Sequence, residues 1–334
     1  IKAGICDSIQ DCGRHGFQYI GINPGGAIDM FSMRTVNLLA GNSEYAPVIE
    51  MSFPAASVFF DAPAIIAIGG ADFSATLNGK PVPLFHPVKT GANSTLKFEQ
   101  WKEGRWCYLA VNGTMGAEKW LGSYSTHTKI NAGGWKGRLL KKGDIIPFTD
   151  LAPVQDVDDK KQEVLKWKAV PFYDSAPADE IFVLPGNEWD YITDEGKLIF
   201  QEQLFSVSRT SDRMGYTLEG AAVSINMPCE LISSVVDFGT IQLLPGGQMI
   251  VLMAGHQTTG GYPRIAHVIK AHRTKIAQLK EDKPLRFKIT DIQTAEELLL
   301  KQEHHLTILK NGCSMMWADY FRSEERRVGK ECRS

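Results

Sequence analysis

The stretch Met249-Ile250-Val251-Leu252-Met253-Ala254-Gly255-His256-Gln257-Thr258-Thr259-Gly260-Gly261-Tyr262-Pro263 joins two kinds of sequence. Met249–Met253 is short, wholly apolar and soon closed by glycine, the pattern of a buried strand rather than of a helix. Gln257–Pro263 has no apolar face to bury and reads as a loop with chemistry to do. Ala64-Ile65-Ile66-Ala67-Ile68 repeats the strand pattern, and 31 glycines and 16 prolines break up such segments along the 334 residues. A polar turn feeding an alternating strand recurs at Thr90–Phe98, Lys142–Phe148 and Lys280–Phe287, with the apolar side chains on one face each time. The chain therefore reads as mainly β, and the echo between its halves points to two related β units.

Helices are expected to be few and short. Asp29 starts one that carries Met33, Val36 and Leu39 inward and ends at Gly41. Thr294-Ala295-Glu296-Glu297 is a capping box opening another. Arg264–Leu279 fits a helix, or a strand plus a short helix. The Asp-, Lys- and Pro-rich run around Asp156-Val157-Asp158-Asp159 reads as a linker. The expected division is thus 1–150 for an N-terminal unit, 151–179 for the linker and 180–321 for a C-terminal unit closing on a strand at Tyr320-Phe321. Residues 322–334 read as a non-native or disordered tail.

Thirty-six basic residues balance 38 acidic ones, a net charge of −2, which removes the broad electrostatic argument for nucleic acid. No apolar run approaches the ~18–20 residues of a spanning helix, so no membrane partner is expected. The six cysteines form no CxxC, and Ile1–Ile5 carries no secretory pattern; a reducing, cytoplasmic setting is the expectation. HxxxH, HExxH, GxxxxGK[ST], a strand-borne GxGxxG and GxSxG are all missing, which argues against a metal centre, a P-loop and a serine nucleophile elbow.

Four segments are dense in special residues: Ile9–Gly16, Asn23–Asp29, Ser211–Tyr216 and Gln257–Pro263. The pairs Gly25-Gly26 and Gly260-Gly261 can expose backbone amides to an oxygen ligand, though each alone also fits a tight turn. Asp212 beside Arg213 offers an acceptor and a fork of donors suited to a carboxylate or amide, or a structural ion pair. Gln257, Thr258 and Thr259 offer neutral groups that can polarise a carbonyl. His256 fits an acid/base role or an exposed loop position.

In this order and spacing the segments resemble the biotin-dependent carboxyltransferase-like family, which includes the C subunit of the bacterial ATP-dependent 5-oxoprolinase, a sporulation-kinase-inhibitor antagonist and the carboxyltransferase region of urea carboxylase. Gln10-Asp11-x-Gly13-Arg14, Pro24-Gly25-Gly26-Ala27-x-Asp29, Ser211-Asp212-Arg213-Met214-Gly215-Tyr216, Gly239-Thr240-Ile241-Gln242 and Gln257–Pro263 carry the likeness. It implies two cyclophilin-like β-barrel units, and a strand plus short helix for Arg264–Leu279. It also implies opening of the 5-oxoproline lactam to glutamate with A-type and B-type 5-oxoprolinase partners, with ATP (and Mg) held at an interface or on a partner and no covalent biotin here. Catalytic roles fall to Asp212, Arg213, Tyr216 and Gln257. Substrate binding falls to Arg14, Gly25, Gly26, Asp29, Thr258, Thr259, Gly260, Gly261 and Tyr262. Carboxyl transfer to urea or a related amide, and a non-catalytic role as antagonist of a kinase inhibitor, are the alternatives. One departure stands out: Gly255 occupies a position usually acidic in the family, which implies a missing acid/base or ion-pair partner.

Overall fold

The computed structural model describes residues 3–152, 161–172, 174, 176–226, 230–281 and 283–331, the last nine as backbone alone. Most of the linker run at 153–160, Asp282 and the end of the tail lie outside the described residues. Two compact units emerge, and neither is continuous in sequence: 1–11, 31–172 and 303–334 make the first, 12–30 and 173–302 the second. Residues 12–30 group with 173–302, and 303–334 with 31–172.

In the first unit six strands form one sheet, in the order Ser8–Gln10, Val48–Met51, Glu103–Val111, Ala64–Asp72, Pro87–Thr90 and Gln162–Val164. Four more, Val58–Phe60, Ser94–Phe98, Ala75–Leu77 and Lys80–Pro81, form a second sheet. Ile66, Ile68, Val88 and Leu109 from the larger sheet share one apolar core with Leu77 and Leu96 from the smaller. Part of the expected linker is therefore an edge strand, Gln162–Val164 pairing antiparallel with Pro87–Thr90. The strand expected to end at Phe148 shrinks to Phe148–Thr149; Ile145 is exposed, and Pro147 has no N–H to give a ladder.

The second unit is a closed barrel: Glu180–Pro185, Arg264–Val268, Thr240–Leu243, Met249–Leu252, Gly215–Glu219, Phe205–Val207 and Pro284–Ile289, the last returning to pair in parallel with the first. Alternate residues such as Ile181 and Val183, or Leu285 and Phe287, fill its interior. Arg264–Leu279 is a strand followed by a short helix, Arg273–Ala277.

The helix expected after Asp29 spans Met30–Leu39 (α1), with Met33, Val36 and Leu39 fully buried. Asp194–Glu202 (α2) and Arg273–Ala277 (α3) belong to the second unit. The last helix is far longer, Ile292–Glu331 (α4), and begins at Asp291, whose carboxylate accepts the Thr294 N–H at 2.7 Å. It passes through Tyr320 and Phe321, where a strand was expected, and continues into the expected tail. Leu306, Cys313, Trp317 and Tyr320 are buried at helical spacing, and Trp317 meets the Trp167 ring edge-on at 5.0 Å. A period near 3.6, not 2, is what those side chains follow.

Two buried titratable groups give the fold opposite pH dependences. His272, fully buried, has Nδ1 accepting the Phe182 N–H at 2.9 Å and Nε2 2.7 Å from Asp174. A protonated ring has no acceptor for Phe182, and burial pushes the imidazole down to about 4 despite Asp174. Asp7, also buried, is driven up to about 7 by burial, against its hydrogen bond from the Ala56 N–H. His272 therefore contributes stability that is full above its unfolded value near 6.5 and lost as pH falls towards 4; Asp7 contributes stability that is lost as pH rises from about 4 to 7. With Asp7→Asn removing the opposing slope, unfolding free energy should fall by about 3 kcal/mol between pH 6.5 and pH 4. Urea denaturation across that range checks it; a flat profile in that variant contradicts the assignment.

Candidate functional site

Four of the five family phrases meet in the second unit, at the barrel end where Gly215–Glu219 begins and Met249–Leu252 ends. The loop 12–30 is anchored there by side-chain hydrogen bonds. The Asn23 amide donates to the carbonyls of Gly255 (3.0 Å) and His256 (3.1 Å), and Arg213 Nη2 donates to the Gly26 carbonyl at 2.5 Å. Gly255 in turn donates its N–H to the Arg213 carbonyl at 2.7 Å. Three distant stretches, 23–26, 213 and 255–256, are thus tied by direct hydrogen bonds.

Gly13 shows why the loop needs its glycines. Its φ is +82°, and a Cβ there would stand 2.7 Å from the Pro24 carbonyl oxygen, against which the Arg14 N–H also bonds at 2.7 Å. Arg14 itself is buried. Gly25 is half-buried and Gly26 buried, both at positive φ. Asp29 is fully buried and accepts from the Gln278 amide at 2.8 Å.

Asp212 and Arg213 part company. Asp212 is exposed and accepts the Met214 N–H at 2.8 Å, closing its own turn, while Arg213 reaches the glycine loop. Tyr216, expected in the catalytic set, is wholly buried in a barrel strand, and its hydroxyl donates to the Ala277 carbonyl at 3.0 Å. It secures the barrel against α3.

The Gln257–Pro263 loop folds round Gln242, whose side chain donates to the Tyr262 carbonyl (3.3 Å) and accepts from Gln257 (3.4 Å). Thr259-Gly260 pairs antiparallel with Ser234-Val235, Thr258 accepts from the Val236 N–H, and Gly261 accepts from the Leu231 N–H. Thr259 is exposed, while Gln257, Thr258, Gly260, Gly261 and Tyr262 are half-buried. Gln242 stands in the Gly239–Gln242 phrase, so its motif was legible in the sequence and its role was not.

Residues beside the loop complete the site. His256 is 1% exposed rather than a surface histidine; its Nδ1 lies 2.5 Å from the Gln257 carbonyl and its Nε2 3.8 Å from Asp237. Asp237 also holds Arg273 Nη2 at 3.1 Å. Burial holds the imidazole below its ordinary range, with Arg273 adding to the effect and the Gln257 carbonyl and Asp237 opposing it. Partial burial works against the charge on Asp237, whose side chain is still 64% exposed, yet Arg273 and His256 hold the carboxylate below the usual range. At Gly255 a Cβ would stand 2.9 Å from the Arg213 carbonyl oxygen, so the backbone here is fitted to glycine, and the nearby carboxylate comes from Asp237.

Gln10 and Asp11, the start of the first phrase, work elsewhere. In the first unit Asp11 accepts from the hydroxyls of Ser123 (2.5 Å) and Ser125 (2.6 Å) and from the Tyr124 N–H (2.6 Å). Among the described residues no cluster of three or more His, Cys, Asp or Glu is arranged to hold a metal ion, and no helix is long and apolar enough to cross a membrane.

Residues 20–289 match the family model for the carboxyltransferase domain, subdomain A and B. The 5-oxoprolinase C subunit of Escherichia coli is 34% identical over 91% of this chain and 95% of its own length, and that of Haemophilus influenzae 32% identical over 90% and 93%. The urea carboxylase of Kluyveromyces lactis superposes with a TM-score of 0.83 at 25% identity, covering 93% of this chain, which spans 29% of the length of that larger protein.

Proposed function

The chain belongs to the family of the carboxyltransferase domain, subdomain A and B, and from that premise we propose that it serves as the C subunit of an ATP-dependent 5-oxoprolinase, opening a five-membered lactam to the amino acid. The observation that carries this is the near full-length likeness to two C subunits together with the hydrogen-bonded meeting of the 23–26, 213 and 255–262 segments. The closed barrel supports a cyclophilin-like reading of the second unit.

A lactam is a stable amide, so its opening needs stabilisation of the oxyanion that forms at the carbonyl and a route for protons. Arg213, held in place by the Gly26 carbonyl, and the amides of the Gly25-Gly26 and Gly260-Gly261 turns would face that oxygen or the substrate carboxylate. Thr258, Thr259 and Gln257 would supply neutral donors, and Asp212 would act by holding the turn that aims Arg213. ATP supplies the driving force for the ring opening. The chain has no P-loop signature, so we place ATP on a partner or at a shared face, with A-type and B-type 5-oxoprolinase partners required.

The likeness to urea carboxylase favours a second reading, carboxyl transfer from a carboxybiotin carrier to a urea-like amide. The test is ADP release dependent on 5-oxoproline, from this chain alone and from its mixture with A and B counterparts. Release from the mixture only is expected. No release from a mixture shown to associate overturns the proposal, and incorporation of labelled bicarbonate in the presence of a biotin carrier would then support the second reading.

A further inference from the structure

We infer that His256 is the proton acceptor of this site and that Asp237, itself held by Arg273, tunes it. The inference rests on the lactam-opening reading above and names the group that moves the proton. His256 lies where the three tied stretches meet: its carbonyl accepts from Asn23, and its neighbour Gly255 bonds to Arg213. The short contact between Nδ1 and the Gln257 carbonyl makes Nδ1 the protonated nitrogen, because a carbonyl can only accept. The basic lone pair is then on Nε2, which makes no hydrogen bond among the described residues and faces Asp237 at 3.8 Å. The charged groups facing the ring are Asp237, from the turn before Thr240–Leu243, and Arg273 of α3. Burial keeps the ring neutral at pH 7, the form a base must have.

In the step proposed, a water O–H proton passes to Nε2 while the water oxygen bonds to the lactam carbonyl carbon, and the carbonyl π pair moves onto its oxygen. The C–N bond then breaks as the carbonyl re-forms, and the same proton goes to the departing ring nitrogen. The products are a carboxylic acid and an amine, with no oxidant or reductant involved. Asp237, which faces the same Nε2, stabilises the imidazolium formed in between through its charge.

The experiment uses the enzyme assembled with its A and B counterparts. It compares wild type, His256→Gln and Asp237→Asn by kcat and KM from pH 5 to 9, with melting temperatures alongside. His256→Gln should lower kcat roughly 100-fold or more with little change in KM. Asp237→Asn, at a solvent-open position where folding is not at stake, should shift the acid limb of kcat to lower pH, because a negative charge that favours the imidazolium is gone. Wild-type turnover with an Asp237→Asn profile that superimposes on it, or a folded His256→Gln enzyme within about threefold of wild type, overturns the inference and leaves the function standing. An assembled wild type that does not turn over 5-oxoproline removes the function and the inference together.

Discussion

Arg213→Ala in the assembled enzyme is expected to lower kcat/KM for 5-oxoproline by roughly 100- to 1000-fold, the size of effect seen when one positioned donor to an oxyanion is lost. The side chain fixes the Gly26 carbonyl, and its backbone carbonyl receives Gly255, so the glycine loop and the Gln257–Pro263 loop are both registered through this residue. The backbone half survives truncation to alanine, so the fold should survive as well. Arg213→Lys should recover little, because an ammonium cannot hold the Gly26 carbonyl and a second oxygen in the fixed plane of a guanidinium. Activity within about threefold of wild type for Arg213→Ala, at an unchanged melting temperature, would show that this donor is not in the site.

Asp11→Ala should be the most destabilising single change of those considered, by about 4 kcal/mol, since each hydrogen bond to a buried charged group is worth about 1.5–3 kcal/mol and stranded donors add their own cost. Two serine hydroxyls and one backbone N–H converge on this buried carboxylate across more than 110 residues of sequence. The Ser123–Ser125 stretch would lose these three bonds and keep the neighbouring ones from Thr126 to the Ile9 carbonyl. Asp11→Asn keeps one acceptor oxygen and should lose about half as much. Chemical denaturation of the three proteins checks the order; an Asp11→Ala protein within about 1 kcal/mol of wild type would mean that the serines find other partners.

Much of the site was legible because its residues are constrained locally. Gly13 must be glycine where its φ is positive and two carbonyls press on it, so Gly13-Arg14 and Pro24-Gly25-Gly26 carry their geometry in their composition. Met249–Leu252 and Ala64–Asp72 announce themselves as strands for the same reason: a segment buried on both faces has no polar positions to spare. The C-terminal region misled because Tyr320-Phe321, read as a short aromatic run, says strand. Its helical character shows only when Leu306, Cys313, Trp317 and Tyr320 are taken together as one buried stripe.

What the sequence by itself determined is the mainly β class, the short strands and the identity of the loops that carry the family's motifs. Tertiary structure alone decided how those residues divide their labour. Asp212 and Arg213 are neighbours in sequence yet face different partners, Tyr216 turns into the barrel, and Asp11 serves a different unit from Arg14. Asp237 and Arg273 reach His256 only because Thr240–Leu243 pairs with both Met249–Leu252 and Arg264–Val268. The physical reason is range: backbone conformation and burial pattern are set within a few residues, whereas a hydrogen bond or a charge acts only across a gap of a few ångströms that the closed fold creates.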